Sequence, residues 1–121
     1  MKPSPRGLVV DDDPEIGDML ARALSRRGFV IETSRSAEEA LQRAAGARYD
    51  AALVDLVMPG QDGRTLAGEL RGRFPGIPIA LLTGYAHSPL LEAVERSGVA
   101  VFIKPVVIHE VADFLQRELE R

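Results

Sequence analysis

The sequence predicts an α/β fold in which helices cover a parallel sheet, and three observations lead to this prediction. Short β-like runs alternate five times with helical patterns along 121 residues, which is typical of parallel strands joined by crossover helices. The run "YDAALVDL", residues 49–56, is almost entirely apolar, as expected for a strand covered on both faces. The composition, 45% hydrophobic and 27% charged residues, is that of an ordinary globular domain with a single core.

The segments of this alternation are separated by turn and cap residues. The predicted strands cover residues 8–11, 29–34, 49–56, 77–83 and 99–103. The predicted helices cover residues 14–27, 37–45, 64–74, 90–97 and 108–119.

In the first two units, the helix starts carry clear signals. Asp13 suits an N-cap, and Pro14 suits the first helical position, where its missing N–H is harmless. Gly28 ends the first helix, and a capping box of Ser36 and Glu39 opens the second. Apolar residues at three- and four-residue spacing are expected to form the buried stripe of the first helix: Ile16, Met19, Leu20, Ala23 and Leu24.

The last three units have weaker boundaries. The loop "MPGQDG", residues 58–63, leads to a helix with two interior glycines, each of which costs about 1 kcal/mol relative to alanine. Ser88 and Pro89 are expected to cap the fourth helix, and Gly98 to end it. Val107 occupies the N-cap position of the last helix without a side chain that can accept a hydrogen bond. The apolar face of that helix consists of Ile108, Val111, Ala112, Leu115 and Leu119.

Charge and composition exclude several classes of protein. The net charge is −3 and the 15 basic residues are dispersed, so the sequence has no electrostatic footprint for nucleic acid or an anionic membrane. The absence of cysteine excludes disulfides and thiolate zinc sites. No apolar run is long enough for a membrane span, and "MKPSPRG" lacks the apolar region of a signal peptide. We therefore expect a cytoplasmic protein with a disordered tail at residues 1–6 and one domain at residues 7–121.

The first, third, fourth and fifth predicted strands each have a charged or hydroxyl residue at or directly after their carboxyl end that could bind a ligand. In open α/β sheets, ligands bind outside the carboxyl ends of the strands, so these residues are expected to meet at one edge. Like charges repel by about 4 kcal/mol per pair at 4 Å and an effective dielectric constant of 20, so neighbouring carboxylates need a compensating cation. Mg²⁺ fits best, because it binds a few carboxylates together with water and phosphate oxygens. The residues concerned are Asp11, Asp12, Asp55, Thr83 and Lys104.

Taken singly, these residues have simpler interpretations. Any one strand-end aspartate could be a helix cap or form an Asx turn, and Asp13 is interpreted as a cap. Lys104 is more informative, because the chain has 13 arginines and only one other lysine, in the tail. A compact ammonium on a flexible stem suits contact with a phosphoryl oxygen.

The joint pattern of motifs resembles the receiver domain of two-component response regulators. "LVVDDD", "LVDLVMPGQDG", "ALLTGYA" and "FIKP" occur in the order of that family, one in each of four units. The resemblance covers about residues 6–121. It implies a flavodoxin-like fold of three layers, with five parallel strands in the order 2-1-3-4-5.

The resemblance also implies a role for each strand-end residue. Asp55 would be the phosphoacceptor and Mg²⁺ the cofactor. The Lys104–Pro105 peptide bond would be cis. The metal would be held by Asp11, Asp12, Asp55 and the Val57 carbonyl, and the phosphoryl oxygens would be contacted by Thr83, the Gly84 amide and Lys104.

The implied function is that of a signalling module that catalyses only its own phosphorylation and dephosphorylation. The phosphoryl donor would be a sensor histidine kinase or a histidine phosphotransfer protein. Phosphorylation would draw Thr83 inward and switch the face formed by the fourth helix, the fifth strand and the fifth helix. That face would bind partners, including a possible second copy in a homodimer. From the charge distribution we expect no direct contact with nucleic acid or membrane.

Two features depart from the family pattern. The position three residues before the lysine, commonly tyrosine or phenylalanine, is Val101, and Phe102 should point to the opposite side of the strand. The two positions that tune the lifetime of the phosphoryl group are Val57 and Tyr85, and neither is suited to orient a water molecule. We therefore predict slow self-dephosphorylation.

Two other functions compete with this interpretation. A haloacid-dehalogenase-type phosphatase also uses a strand-end aspartate with Mg²⁺, but it needs a second acid where this chain has Val57. A phosphorylation-independent pseudo-receiver usually lacks the acidic pocket, the acceptor or the lysine, and this chain retains all three.

Overall fold

The computed structural model describes residues 3–84, 89–96 and 99–121. Within them the five predicted units form in order, and the expected caps Ser88 and Gly98 lie outside the described residues. The strands are β1 (Arg6–Val10), β2 (Val30–Ser34), β3 (Ala51–Asp55), β4 (Ile79–Thr83) and β5 (Ala100–Ile103). The helices are α1 (Pro14–Ser25), α2 (Ala37–Gly46), α3 (Gly63–Arg73), α4 (Pro89–Arg96) and α5 (Ile108–Leu119).

All strands are parallel and their order is β2-β1-β3-β4-β5, which confirms the predicted fold. Every residue of β3 and β4 is buried, because helices cover both faces of the sheet. One apolar cluster joins the sheet to α2, α3 and α4, and a second joins it to α1 and α5. The molecule therefore has three layers, with two cores separated by the sheet.

The helix starts confirm most of the predicted caps. The Asp13 side chain accepts the Glu15 amide N–H at 2.9 Å, and Ser36 Oγ accepts the Glu39 amide N–H at 3.1 Å. The Val107 side chain makes no capping hydrogen bond at the start of α5. That helix therefore begins with backbone hydrogen bonds alone, such as the Glu110 amide to the Val107 carbonyl at 3.1 Å.

The prediction that Met19 lies in the buried stripe of α1 is wrong. Its side chain is 41% exposed, whereas Gly17, Leu20 and Leu24 are buried. A Cβ atom at Gly17 would lie at an ordinary contact distance, 3.9 Å, from the Thr33 Cγ2 atom of β2, so Gly17 faces this strand. The helix is therefore rotated toward Gly17, a residue that adds nothing to a hydrophobic pattern.

The first strand also begins earlier than predicted, at Arg6 instead of residue 8. The Arg6 amide N–H donates to Asp50 Oδ2 at 2.9 Å, and its guanidinium pairs with Glu32 at 2.5 Å. These contacts extend the strand by two residues. No helix among the described residues combines the length and the apolar character needed to cross a membrane.

Candidate functional site

The carboxyl edge of the sheet is tied together by backbone hydrogen bonds that continue beyond the strands. The amide of Asp11, next after β1, donates to the Ser34 carbonyl at 3.0 Å. The amide of Leu56, next after Asp55, donates to the Leu82 carbonyl at 2.7 Å. The amide of Lys104 donates to the Thr83 carbonyl at 2.7 Å. The predicted site residues are therefore held by the sheet itself.

Three carboxylates meet at this edge, as the sequence analysis expected. Asp11, Asp12 and Asp55 each offer an oxygen, and these three oxygens lie within 4.8 Å of one another. Asp11 and Asp55 are buried, at 2% and 5% exposure, whereas Asp12 is exposed to solvent. Such a spacing of oxygen donors with one open side suits a hard divalent cation.

Lys104 reaches into the same cluster from the end of β5. Its Nζ atom lies 2.9 Å from Asp11 Oδ2 and 3.5 Å from Asp55 Oδ2. The other Asp11 oxygen, Oδ1, accepts the Asp13 amide N–H at 2.9 Å. The peptide bond between Lys104 and Pro105 is cis, as the sequence analysis expected.

The electrostatics of the cluster affect Asp55 most clearly. Burial, followed by the negative charge of Asp11, raises the pKa of Asp55 to about 6, although Lys104 acts in the opposite direction. Burial alone would lower the pKa of Lys104, but its hydrogen bond to Asp11 and the charge of Asp55 raise it. The lysine is therefore held in its charged form beside the two buried acids.

Two of the remaining predicted residues, Val57 and Gly84, line an open cavity of about 810 Å³ beside the acids. Val57 lines it with a 46% exposed side chain, and Gly84 lines it after the end of β4. Thr83 is buried at 1% exposure next to Gly84. Tyr85 lies outside the described residues.

Phe102 does not take the place of the missing aromatic residue. Val101 packs with the apolar cluster beneath α2, α3 and α4, whereas Phe102 packs with the cluster beneath α1 and α5. The Phe102 ring meets the Phe114 ring of α5 edge-on, with centroids 5.7 Å apart. The opposite orientation of the two side chains confirms the expectation from strand alternation.

Gly63 is a residue at the site that sequence reasoning missed. Its amide donates to the Leu56 carbonyl at 2.8 Å, so the start of α3 touches the backbone that follows Asp55. The Asp62–Gly63 pair in the loop carried a signal, but only for a turn. A contact seven residues back along the chain has no local signature in the sequence.

The sequence matches a known protein family and several of its characterised members. The family model described as "Response regulator receiver domain" matches residues 8–116. A response regulator receiver protein of Anaeromyxobacter, Anae109_2439, is 36% identical over 109 residues, which are 89% of this chain and 46% of that protein. The transcriptional regulatory protein QseB of Escherichia coli is 34% identical over 119 residues, which are 96% of this chain and 53% of that protein. The chain thus spans about half the length of these relatives.

Solved structures agree with the sequence comparison. The response regulator TrrA of Thermotoga maritima, in complex with Mg²⁺ and BeF, superimposes with a TM-score of 0.82 and 31% identity. The similarity covers 94% of this chain and 98% of that one.

Proposed function

Because this chain belongs to the receiver domain family of response regulators, we propose that it accepts a phosphoryl group on Asp55 with the help of Mg²⁺. The donor is a sensor histidine kinase or a histidine phosphotransfer protein. The response is a change in the face formed by α4, β5 and α5, which binds the next partner and could bind a second copy of the chain. On this proposal the protein acts in the cytoplasm and does not itself contact nucleic acid or a membrane.

One observation carries the proposal. Two buried carboxylates, Asp11 and Asp55, share the Lys104 ammonium at 2.9 and 3.5 Å, and Asp12 brings a third acid to the same point. A merely structural ion pair needs one acid for one lysine, whereas this cluster has two acids more than its cation. The excess of negative charge supports a site that binds a cation.

The donor set also suits the ion. Oxygen atoms from Asp11, Asp12 and Asp55 lie within 4.8 Å of one another, and Val57, whose carbonyl we assign as a further ligand, lines the same cavity. All of these donors are oxygens, which Mg²⁺ prefers, and the open cavity leaves room for water and phosphoryl oxygens. When bound, Mg²⁺ supplies positive charge that offsets the acids and the oxygens of the incoming phosphoryl group.

The proposed reaction is an in-line transfer. A carboxylate oxygen of Asp55 forms a bond to phosphorus while the bond from phosphorus to the donor's nitrogen or oxygen breaks, and the leaving group keeps that electron pair. Lys104 is close enough to pair with one phosphoryl oxygen, since its Nζ atom is already 3.5 Å from Asp55. We assign the Thr83 hydroxyl and the Gly84 amide to the other oxygens. Asp55 must be deprotonated to attack phosphorus. Because its pKa is raised, the positive charges of Mg²⁺ and Lys104 are needed to favour the carboxylate form.

The competing functions are less well supported by the site. A phosphatase of the haloacid dehalogenase type needs an acid at position 57, and an exposed valine occupies it. A pseudo-receiver has no need for three acids and a lysine at one point.

Labelling with radioactive acetyl phosphate tests the proposal. The wild-type protein should take up label in the presence of Mg²⁺ and none when EDTA is present from the start, and Asp55→Asn should take up none. Asp62→Asn is the matched control, because asparagine caps a helix as well as aspartate and Asp62 only accepts the Thr65 amide at the start of α3. Rapid turnover of acetyl phosphate would instead indicate a phosphatase, and no label at all a pseudo-receiver.

A further inference from the structure

The first residue of α3 lies directly against the backbone of the acceptor. Gly63 is buried, and its amide donates to the Leu56 carbonyl at 2.8 Å. A Cβ atom at this position would overlap the Asp55 carbonyl oxygen and lie 2.9 Å from Leu56 Cα. Cβ atoms are not found at such distances from backbone atoms, so an added methyl group would displace one of the two segments.

Both segments are held by contacts of their own. Leu66, Ala67 and Leu70 of α3 are buried at 0–3% exposure in the core beneath the helix, which fixes the helix on the sheet. On the other side, Leu56 is held by its amide hydrogen bond to the Leu82 carbonyl. The acceptor segment Asp55–Val57 is weakly held only at its end, because Val57 is exposed and its amide reaches Asp55 Oδ1 only at 3.4 Å. We expect the displacement to fall there.

We infer that Gly63 is a positioning residue for the phosphoryl transfer: its missing side chain lets α3 hold the Asp55–Val57 backbone at the position that metal binding and phosphoryl acceptance need. The inference rests on the proposed function, because Asp55 and the Val57 carbonyl matter only if they bind the metal and accept the phosphoryl group. Gly63 itself touches neither group. It acts through the backbone that carries both.

The other glycines of α3 offer matched controls. Gly68 and Gly72 lie in the same helix, are exposed, and have no atom within 4 Å of the position where a Cβ would be placed. Alanine at either position should therefore raise the unfolding temperature slightly through its better helix propensity, without touching the site.

The experiment compares wild type, Gly63→Ala, Gly68→Ala and the triple variant Gly63→Ala/Gly68→Ala/Gly72→Ala. Isothermal titration calorimetry gives the affinity of each unphosphorylated protein for Mg²⁺, labelling by acetyl phosphate gives the rate, and thermal unfolding gives the stability. Because a displacement of about 1 Å can cost a factor of 100 in rate, we expect Gly63→Ala to weaken Mg²⁺ binding and slow labelling by about tenfold or more. The triple variant should recover unfolding temperature but not Mg²⁺ affinity.

Mg²⁺ affinity and a labelling rate equal to wild type in Gly63→Ala would overturn the inference, because α3 would then have moved in place of the acceptor. Recovery of Mg²⁺ affinity in step with stability in the triple variant would overturn it too, as would failure of that variant to fold, since each assigns Gly63 to packing alone. A wild-type protein that neither binds Mg²⁺ nor takes up label is a different outcome, because it would refute the proposed function itself.

Discussion

Lys104 lies closer to Asp11 than to Asp55, with Nζ distances of 2.9 and 3.5 Å to the two carboxylates. The lysine therefore neutralises the charge of Asp11 more fully than that of Asp55, the proposed phosphoacceptor. Burial and the negative charge of Asp11 raise the pKa of Asp55, and the Lys104 charge offsets this shift only in part. The 3.5 Å distance also means that a small rotation of the lysine side chain would bring the ammonium to an oxygen of a phosphoryl group on Asp55.

Replacing Lys104 with methionine should raise the pKa of Asp55 above about 6, because the lysine's charge is what lowers it in the wild-type protein. Carbon-detected NMR of the aspartate carboxyl groups in the metal-free protein would measure the shift. Lys104→Arg is the matched control: it retains the charge and should leave the pKa of Asp55 near its wild-type value, while labelling slows because a guanidinium differs in shape from an ammonium. An unchanged Asp55 pKa in the methionine variant would contradict the electrostatic account.

Asp55→Asn should stabilise the metal-free protein at pH 8. The folded pKa of Asp55, about 6, lies above its ordinary value of 3.8, so between these values the folded state holds a proton that the unfolded state has released. The free energy of unfolding of the wild type therefore falls as pH rises through this window, on the order of 2 kcal/mol in all, and the variant avoids that loss. Urea unfolding with EDTA at pH 4 and pH 8 measures the difference, which should be small at pH 4. Saturating Mg²⁺ at pH 8 should reduce it, and a difference independent of pH would count against the prediction.

Tyr49→Phe should destabilise the protein by about 1.5–3 kcal/mol at pH 7, the typical contribution of a hydrogen bond to a charged group. The buried Tyr49 hydroxyl donates to Glu32 Oε2 at 2.5 Å, and this carboxylate also pairs with Arg6 and Arg43. Phenylalanine keeps the edge-on ring contact with Phe74, so the variant isolates the hydroxyl.

The pH dependence of that stabilisation is a separate prediction from the same pair. The hydrogen bond to Tyr49 is the largest cause of the lowered pKa of Glu32, and burial, followed by the hydrogen bond to Glu32, raises the pKa of Tyr49 to about 12. The contribution of ionised Glu32 to the free energy of unfolding is complete above its ordinary pKa of 4.5 and is lost as pH falls through its lowered pKa. That of Tyr49 is complete below 10.0 and is lost as pH rises toward 12. Unfolding in urea should show a constant gap between wild type and Tyr49→Phe from about pH 5 to pH 10, and a gap that stays constant at pH 3 would contradict the assignment.

Val57 should give the phosphorylated protein a long lifetime. Its apolar side chain is exposed beside Asp55 and cannot orient a water molecule toward phosphorus. Val57→Asn should shorten the half-life of label after acetyl phosphate is removed, whereas Val57→Ala, which is smaller but equally apolar, should not. Loss of label from wild type within seconds, without a partner protein, would contradict the prediction.

Local signals in the sequence were enough to predict the helices and strands and to predict where the candidate site residues would meet. Strand order came from the resemblance, but the convergence of Asp11, Asp12, Asp55 and Lys104 at one edge follows from parallel strands ending together, which needs no knowledge of side-chain packing. Asp13 and Ser36 were predictable as helix caps for a different reason: the side chain of a cap residue accepts a hydrogen bond from an amide only two or three residues further along the chain.

Features that depend on distant parts of the chain were not predictable. Met19 fits the helical spacing, but Gly17 is the residue of α1 that faces Thr33, on another element. The contacts that extend β1 to Arg6 come from Glu32 and Asp50, residues 26 and 44 positions away. The need for glycine at position 63 likewise arises from the Asp55 carbonyl. A sequence pattern cannot predict this contact between two segments.

The start of α5 has a consequence for how far Lys104 can reach. On one side the lysine is anchored to the sheet by its amide hydrogen bond to the Thr83 carbonyl. Three residues later, the N-cap residue of α5, Val107, makes no side-chain capping hydrogen bond. The segment between these two residues is thus hydrogen-bonded to the sheet at its first residue and has no side-chain cap at its last. A shift of the loop would break no capping contact of the Val107 side chain. If Asp55 accepts a phosphoryl group as proposed, such a shift would let the ammonium follow the added charge.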